Sequence, residues 1–417
     1  AQVTFLALSM THVHAIARSL GGTKRIFDAL GVTLQVSEPF HGLGSFSEVL
    51  RQAGMKFAAC DSLEHDARYS NLYALGRTGA RVGDVTKMSL DDIGDAQFLI
   101  GGPPCEGFSQ SGNILGCADA RTDLYDLMID WVVELARRGC LLAFALENSC
   151  NQLSRLNDTK PYLQMKLLEL EVLIPFFVCD YQVYSVSSTL LHKRERVWLR
   201  GLRLDVAGAS RAIPKPLALP RVTLADVLDF SLPNISFDDL TQKKQSNLEY
   251  YTRQIENDVK QGIAGGIAVI EIDRSPCKVH NTAMAYDVVP SMRCKGPDFL
   301  LSTTADISSP PQRRVLFRYL ANHERFNLQG HCSDAHEFMK SGNHARYATG
   351  NAYSVPMAAS MTIPMIQSIV SGPSMKAKLG QRLSTREIDA LISMSISPPP
   401  LKRRRNRSKS SVDLSEV

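Results

Sequence analysis

The chain of 417 residues contains no long apolar segment. Its most apolar stretch, Leu141–Leu146, has only six residues, whereas a helix that crosses a bilayer needs about 20, so a transmembrane helix is excluded. The N-terminus has no basic segment followed by an apolar one, and we expect no secretory signal. The chain begins at Ala1 rather than at a methionine, as a piece excised from a longer protein would.

Cysteine occurs nine times, an odd number, and no two cysteines form a Cys-x-x-Cys pair. This spacing disfavours a disulfide scaffold and a structural zinc site, and it indicates a reducing compartment. We therefore expect no bound metal. The cysteines are at positions 60, 105, 117, 140, 150, 179, 277, 294 and 332.

Positive charge is scarce outside the C-terminus. The net charge is +5, and residues 400–417 supply +4 of it, because six lysines and arginines there face only Asp413 and Glu416. The rest of the chain carries +1, so the overall charge does not identify a nucleic-acid-binding face on the folded part. The basic run Lys402–Arg405 is typical of a nuclear-import signal or of a non-specific DNA-binding arm, and a solubilising tail is the alternative.

Short apolar runs alternate with longer segments of helical periodicity between residues 35 and 200. Together with 44% hydrophobic and 21% charged residues, this alternation predicts a globular α/β fold with a mostly parallel sheet. The predicted strands are Leu34–Val36, Phe57–Cys60, Phe98–Ile100, Leu141–Leu146, Tyr181–Val186 and Val197–Leu199. The predicted helices are Phe46–Gln52, Ala67–Ala74, Leu124–Ala136 and Tyr162–Leu170.

The pattern changes four times along the chain, which predicts five parts. The α/β part is interrupted by a region of proline-spaced loops and poor periodicity with one helix, Gln242–Val259, which we interpret as a small inserted lobe. A compact pattern then returns and ends in an apolar helix, Met357–Val370. The predicted parts are a helical extension (1–34), the α/β domain (35–200), the lobe (201–310), a segment that completes the α/β domain (311–370) and a largely disordered basic tail (371–417).

The segment Gly101–Ser109 (GGPPCEGFS) directly follows a predicted buried strand. Ligands of α/β sheets bind at the carboxyl ends of the strands, and Pro103 and Pro104 restrict the backbone before Cys105. The cysteine is therefore held with little conformational freedom, which suits a nucleophile. A lone cysteine in a proline turn is more often a buried structural residue, so the interpretation depends on the whole segment.

Three further segments carry polar groups of the kind that active sites use. Glu147 follows the predicted strand Leu141–Leu146, although a carboxylate at a strand end often only faces water. Arg194 and Arg196 form an Arg-x-Arg, which by itself is typical of a solvated charged surface. Phe40–Ser45 (FHGLGS) follows the first predicted strand, and a Gly-x-Gly alone is as often a plain turn as a ligand-binding loop.

These segments, in this order, resemble the motifs of the cytosine-C5 DNA methyltransferase family from about residue 35 to residue 370. The resemblance implies a Rossmann-like methyltransferase sheet with a target-recognition region at residues 201–310, and transfer of a methyl group from S-adenosylmethionine to C5 of cytosine in DNA. It implies that Cys105 adds to C6 of a flipped-out cytosine and that Glu147 contacts N3 and the exocyclic amine. Arg194 and Arg196 would hold the base and the adjacent phosphate.

The same resemblance implies a binding site for S-adenosylmethionine, with S-adenosylhomocysteine as the product. At the end of the second strand the family has a Glu that binds the ribose. Ser62 aligns with it, and we predict that the neighbouring Asp61 takes that role. Asp84 would reach the adenine amino group. The predicted cofactor-binding residues are Phe40, Gly42, Leu43, Gly44, Asp61, Ser62, Asp84, Pro104, Leu124, Asn351 and Ala352.

Downstream segments complete the resemblance. Residues 318–330 are similar to an Arg-x-Leu…Glu…Leu-Gln-Gly segment that braces the recognition lobe, and residues 350–356 (GNAYSVP) to a closing Gly-Asn-x-Val-Pro segment. The expected partner is double-stranded DNA, bound by a monomer, with no membrane involved. Lys243, Lys244 and Arg253 on the predicted lobe helix could contact phosphates, although helix-surface lysines are usually only solvated. We expect a nuclear location in a eukaryote and a cytoplasmic one otherwise.

Two alternatives stay open. The tRNA-methylating branch of the family typically has Pro-Phe-Thr after its catalytic Cys-Gln and a Cys-Phe-Thr elsewhere, whereas this chain has Gly107-Phe108-Ser109 and no Cys-Phe-Thr, which favours DNA. The second alternative is a catalytically silent homologue. It is kept open by Ser45, Ser62 and His192, which stand where the family has Gly, Glu and Gln.

Overall fold

The structure is a computed structural model of the whole chain. Some predicted elements and site residues lie outside the residues described below: most of the N-terminal extension 1–34, the helix Ala67–Ala74, Asp61 and Ser62, and the basic run Lys402–Arg405. The structure describes residues 28, 33–59, 63–64, 81–105, 107–108, 120–154, 161–184, 191–219, 222–263, 266–274, 283–290, 292, 299–303, 317–331, 343–371 and 381–396.

A six-stranded sheet organises the first domain. Its strand order is β2-β1-β5-β6-β8-β7. The pairs β1·β2, β1·β5 and β5·β6 are parallel, and β8 runs antiparallel to both β6 and β7. The strands are β1 (Leu34–Ser37), β2 (Phe57–Ala59), β5 (Phe98–Gly101), β6 (Ala143–Ser149), β7 (Phe177–Tyr184) and β8 (Arg196–Arg203), and β3 (Leu63–Glu64) and β4 (Arg81–Val82) pair separately.

Helices cover both faces of this sheet. On one face, α1 packs against α9 over an apolar core to which β1, β5 and β6 contribute. On the other face, α3 and α4 pack over a second core that includes Trp131 and Phe144. The prediction of an α/β fold with a mostly parallel sheet is confirmed. The helices are α1 (Ser45–Gln52), α2 (Leu90–Ile93), α3 (Asp123–Arg137), α4 (Tyr162–Leu173), α5 (Leu204–Ala207), α6 (Gln242–Lys260), α7 (Asn322–Leu328), α8 (Asn343–Asn351), α9 (Val355–Ser371) and α10 (Thr385–Ile396).

Several strand boundaries differ from the sequence prediction, and β8, predicted as Val197–Leu199, spans Arg196–Arg203. The sequence predicted Leu141–Leu146 and Tyr181–Val186, whereas β6 extends to Ser149 and β7 begins at Phe177. β8 pairs along its length with both strands. In β6 this pairing holds the polar residues Glu147–Ser149 within the sheet. Apolar runs alone do not report such polar strand residues.

A second, antiparallel sheet forms the inserted lobe, in the order β10-β9-β11-β12. The helix α6 packs on one face of it through Leu248, Tyr251 and Ile255, and the predicted helix Gln242–Val259 is confirmed. The lobe was predicted to end at residue 310, and β12, which lies beyond that residue, pairs with β11. The strands are β9 (Ile267–Glu271), β10 (Met284–Tyr286), β11 (Phe299–Thr303) and β12 (Phe317–Tyr319).

The C-terminal region contains an ordered helix. Within residues 371–417, for which the sequence predicted a largely disordered basic tail, α10 follows a Ser384–Glu387 capping box. Leu391 is buried in the core beneath α3, and Arg382 makes a bidentate ion pair with Asp95, with nitrogen–oxygen distances of 2.6 to 3.1 Å. Gly139, at φ +75°, allows this close approach, because a Cβ there would lie 2.6 Å from the backbone nitrogen of Leu383.

Candidate active site

The loop of Cys105 leaves the sheet at the carboxyl end of β5. In the parallel ladder with β6, Gly101 pairs with Leu146, so the next residues of the two strands, Gly102 and Glu147, are also neighbours. A Cβ built on Gly102 would lie 3.0 Å from Glu147 Oε2, so glycine is needed for this approach. Cys105, whose side chain is half-buried, follows three residues later. The register of two strands thus brings the predicted nucleophile loop to the predicted carboxylate.

Glu147 lies within β6 rather than after it. It pairs with Trp198 in the antiparallel ladder, and Ser149 pairs with Arg196, so the four side chains share one face of the sheet. Diagonal neighbours on such a face are within reach of long side chains. Accordingly, Arg196 Nε lies 2.7 Å from Glu147 Oε1 in a largely buried ion pair. The structure brings these two predicted residues together.

Two asparagines fasten the Cys105 loop to the end of β6. Asn148 is 1% exposed and donates from Nδ2 to the carbonyl oxygen of Pro103 over 3.3 Å. Asn151 Nδ2 donates to the carbonyl oxygen of Phe108 over 2.7 Å. The loop is therefore held on both sides of Cys105. The role of Asn148 in the Glu147-Asn148 motif is to fix the backbone of this loop. Pro104 is half-buried in the same loop.

The glycine loop between β1 and α1 has an unusual backbone. Phe40, Gly42 and Gly44 have φ values of 58°, 51° and 67°, and Phe40 is one of few non-glycine residues with a positive φ among those described. Space is open at Gly42, where a Cβ would meet only the Phe40 carbonyl oxygen at 4.0 Å. At Gly44, in contrast, a Cβ would collide with the ring of His41. A ligand can therefore approach the backbone at Gly42.

Glu38, which the sequence prediction missed, holds this loop in place. Gly44 has no side chain to cap α1, and the buried Glu38 supplies the cap from the end of β1. Its Oε2 accepts from Ser47 N (3.2 Å) and Ser47 Oγ (2.7 Å), and its Oε1 accepts from Phe46 N (3.1 Å) and Tyr353 Oη (2.8 Å). The signal for Glu38 was its position between a predicted strand and the glycine loop.

The carboxylate of Glu38 stays charged despite its burial. Burial alone would raise its pKa, but the facing His41 and the hydrogen bonds from Ser47 and Tyr353 outweigh burial and hold the pKa below its usual value. A negative charge at this position also interacts favourably with the N-terminus of α1.

Asp84 follows β4 and caps a short 3₁₀ turn. Its Oδ1 accepts from Thr86 Oγ1 (2.7 Å) and Thr86 N (3.0 Å), which hold the pKa of Asp84 below its usual value. Its Oδ2 lies 3.6 Å from Lys87 Nζ. The predicted contact of Asp84 with adenine stays a prediction. Leu124, at the start of α3, is partly buried against the core of that face.

The segment that joins α8 to α9 contacts both halves of the site. Arg194 is 4% exposed and donates to the carbonyl oxygens of Gly350 (2.8 Å) and Asn351 (3.4 Å). The next residue, Ala352, is buried in one apolar cluster with Leu43 of the glycine loop. Arg194 therefore braces residues 350 and 351, and its direct contact with a base stays a prediction. The side chain of Asn351 is exposed.

His192 is fully buried at the junction with the lobe. The backbone of residues 191–193 pairs with Val289, through Val289 N to Leu191 O (2.7 Å) and Lys193 N to Val289 O (2.8 Å). Burial, followed by the charges of Arg194 and Arg196, lowers the pKa of His192 to about 3. The ring is therefore neutral near pH 7, so His192 keeps a neutral polar group where the resembled family has Gln.

Residues of the lobe brace it against the first domain. The buried Arg318 and Glu324 form an ion pair of 2.6 Å, and Glu324 Oε1 also accepts from Asp229 N (2.7 Å). On α6, Lys244 lies 3.2 Å from both Asp273 Oδ1 and Tyr319 Oη. These contacts occupy Lys244, which makes it a weaker candidate for a phosphate contact than the sequence suggested.

Comparison with known proteins agrees with this geometry. The profile of C-5 cytosine-specific DNA methylases matches residues 34–367, which include the glycine loop, Cys105, Glu147, both predicted arginines and the segment at Asn351. The sheet, with the segments that the profile covers, has the α/β fold of the methyltransferase class. More particularly, the chain belongs to the C-5 cytosine-specific DNA methylase family.

The curated relatives are distant. The chain is 23% identical to the type II methyltransferase M.NgoPII of Neisseria gonorrhoeae over 78% of this chain and 93% of that protein. It is 26% identical to M.HhaI of Haemophilus parahaemolyticus over 56% of this chain and 67% of the relative. With M.DdeI of Desulfomicrobium norvegicum the match is 26% and spans only 41% of each protein.

Solved structures share the fold. A DNA modification methyltransferase encoded within an E. coli prophage has a TM-score of 0.50 at 17% identity, covering 80% of this chain and 99% of that one. A Spodoptera frugiperda DNMT2 variant has the same TM-score at 11% identity and the same coverage. Within the described ranges, no helix is long and apolar enough to cross a membrane, and no group of three or more His, Cys, Asp or Glu side chains is arranged to hold a metal ion.

Proposed function

We propose that this protein transfers a methyl group from S-adenosylmethionine to C5 of cytosine in DNA through a covalent adduct with Cys105. Membership of the family supports the reaction class. The observation that carries the proposal is the ladder between β5 and β6, which sets Gly102, three residues before Cys105, against the carboxylate of Glu147.

The reaction requires that Cys105 and Glu147 act on the same cytosine base. C5 of cytosine is too weak a nucleophile to accept a methyl group unaided, and addition of the Cys105 thiolate to C6 places electron density on C5. Glu147 then binds N3 and the exocyclic amine, and Arg196 holds Glu147 through their 2.7 Å ion pair. After methylation of C5, loss of the C5 proton and expulsion of the Cys105 thiolate restore the aromatic ring. The cytosine must leave the duplex to reach these groups.

The residues present fit a nucleoside cofactor. The backbone at Gly42 is open to a ligand, and the carboxylate of Asp84, which is charged near pH 7, can accept a hydrogen bond from an adenine amino group. Leu43 of the glycine loop and Ala352 lie in one buried apolar cluster. S-adenosylmethionine, when bound, supplies an electrophilic methyl group. We propose that Phe40, Asp61, Ser62, Pro104, Leu124 and Asn351 complete this site.

The test is transfer of tritium from labelled S-adenosylmethionine to duplex DNA. We expect transfer by the wild-type protein and none by Cys105→Ser, while Cys179→Ser, in the sheet strand β7, stays active. DNA that contains 5-fluorocytosine should trap the Cys105 adduct, because fluorine at C5 blocks the proton loss. Transfer that survives in Cys105→Ser, or a folded wild-type protein that transfers nothing, contradicts the proposal.

Two measurements test the alternatives: the labelling assay with tRNA as a second substrate, and calorimetry with S-adenosylhomocysteine. If side-by-side labelling showed a preference for tRNA over DNA, tRNA would replace DNA as the proposed substrate. Absence of S-adenosylhomocysteine binding in calorimetry would favour the silent homologue. The structure weighs against that reading at two positions, because Ser45 donates to the carbonyl oxygen of Tyr353 and His192 is neutral. A nuclear location depends on Lys402–Arg405 alone, and action as a monomer on DNA stays a prediction.

A further inference from the structure

Tyr353 contacts both loops of the proposed active site. It is 5% exposed, and its hydroxyl donates to Glu38 Oε1 over 2.8 Å, the carboxylate that caps α1 behind the glycine loop. The edge of its ring lies against the Cys105 loop, since a Cβ built on Gly102 would be 3.2 Å from Tyr353 Cδ1. One side chain thus spans the distance between the two loops.

The ring and the main chain of Tyr353 are both fixed. Trp198 packs edge-on against the ring, with centroids 5.3 Å apart and planes at 80°. The carbonyl oxygen of Tyr353 accepts from Ser45 Oγ in the first turn of α1. Tyr353 is therefore bound to Ser45 in α1 and to Glu38, the carboxylate that caps α1.

The hydroxyl remains a donor at all relevant pH values. Burial, followed by the charge of Glu38, holds the pKa of Tyr353 well above its usual range. A hydrogen bond from a neutral hydroxyl to a buried carboxylate is among the stronger kinds of hydrogen bond in proteins. Its removal takes away one of the donors to Glu38 Oε1, beside Phe46 N.

We propose that Tyr353 is a positioning residue that couples the cofactor loop to the loop of Cys105. The proposal deepens the function proposed above and depends on it. Through Glu38, Tyr353 holds the backbone of residues 40–44 in the form that a cofactor meets. Through Gly102, it sets the position of the segment that carries the thiol. Occupancy of the glycine loop is thereby communicated to Cys105.

The test compares two buried tyrosine-to-phenylalanine variants. Tyr353→Phe removes the hydroxyl that binds Glu38 and keeps the ring. Tyr125→Phe is the matched control, because Tyr125 is 1% exposed and its hydroxyl has no hydrogen-bond partner among the described residues. Calorimetry with S-adenosylhomocysteine at low temperature measures the Kd. We expect Tyr353→Phe to raise the Kd about tenfold and Tyr125→Phe to leave it within about twofold.

A second readout measures the coupling without turnover. Iodoacetamide alkylation of Cys105, followed by mass spectrometry of its peptide, is run with and without saturating S-adenosylhomocysteine. We expect the ligand to slow alkylation at least about fivefold in wild type and less than about twofold in Tyr353→Phe, as the loss of one strong hydrogen bond would allow. A merely structural role would lower the folded fraction without changing the Kd or the protection of the folded molecules.

The outcomes separate the two proposals. If the wild-type protein binds no S-adenosylhomocysteine, the proposed function fails and the coupling with it. If the wild type binds and protects Cys105, and Tyr353→Phe matches it in both Kd and protection, the role of Tyr353 is overturned while the proposed function stands. Equal losses in Tyr353→Phe and Tyr125→Phe would also overturn it, because the effect would not depend on Glu38.

Discussion

Replacement of Glu38 by glutamine tests the core of the site most directly. Each carboxylate oxygen of Glu38 accepts a hydrogen bond from a backbone N–H of α1: Oε1 from Phe46 N and Oε2 from Ser47 N. An amide has only one acceptor oxygen. In either orientation of the glutamine, its NH₂ faces one of these backbone donors, which cannot rotate away. The side chain has the same shape, so the change removes bonding and charge but not volume.

The size of the effect follows from these contacts. An unsatisfied buried donor costs about 1–3 kcal/mol, and loss of a negative charge at a helix N-terminus costs about 0.3–2 kcal/mol. We expect Glu38→Gln to lower the free energy of unfolding by about 2–4 kcal/mol. The matched control is Glu134→Gln on α3, where the carboxylate is 39% exposed and makes a 3.3 Å ion pair with Arg138. Such exposed pairs contribute about 0–1 kcal/mol.

The pH dependence of the stability difference between wild type and Glu38→Gln tests the role of the Glu38 charge. The pKa of Glu38 is lowered in the folded protein, so its contribution to stability is fully present above the ordinary glutamate pKa of 4.5 and is lost as pH falls through the lower, folded value. Urea unfolding curves at pH 7 and at successively lower pH should therefore show the difference between wild type and Glu38→Gln shrink below about pH 4.5. A difference under about 0.5 kcal/mol at pH 7, or one that grows in acid, would refute the reasoning.

Further predictions concern the C-terminal helix and the Cys105 loop. Gly139→Ala should displace residue 383, because the new Cβ would lie 2.6 Å from the Leu383 nitrogen. The displacement should speed the reaction of the buried Cys140 with a thiol reagent. Unchanged labelling of Cys140 would show that the C-terminal segment is not held there. Asn148→Ala removes the 3.3 Å hydrogen bond to Pro103 and should lower the methyl-transfer rate about tenfold, while the Kd for S-adenosylhomocysteine stays within about twofold. If the methyl-transfer rate and the affinity for S-adenosylhomocysteine fell equally, Asn148 would instead support the cofactor loop.

The sequence by itself determined the elements whose signals are local. The strand Phe98–Ile100 is a continuous apolar run, because a parallel strand covered on both faces must be apolar throughout. The Cys105 loop and the glycine loop could be found because proline restricts the backbone and glycine permits conformations that other residues rarely adopt. These signals were sufficient for the fold class, and the family resemblance they carried is confirmed.

Only the tertiary structure decided which polar groups meet. The partnership of Glu147 and Arg196 depends on the register of β6 and β8, and the roles of Glu38 and Tyr353 depend on a contact between residues 315 positions apart. The ordered helix α10 likewise depends on burial of Leu391 against α3. Hydrogen bonds and packing between distant segments leave no periodic trace in a sequence, since they follow from how the elements dock.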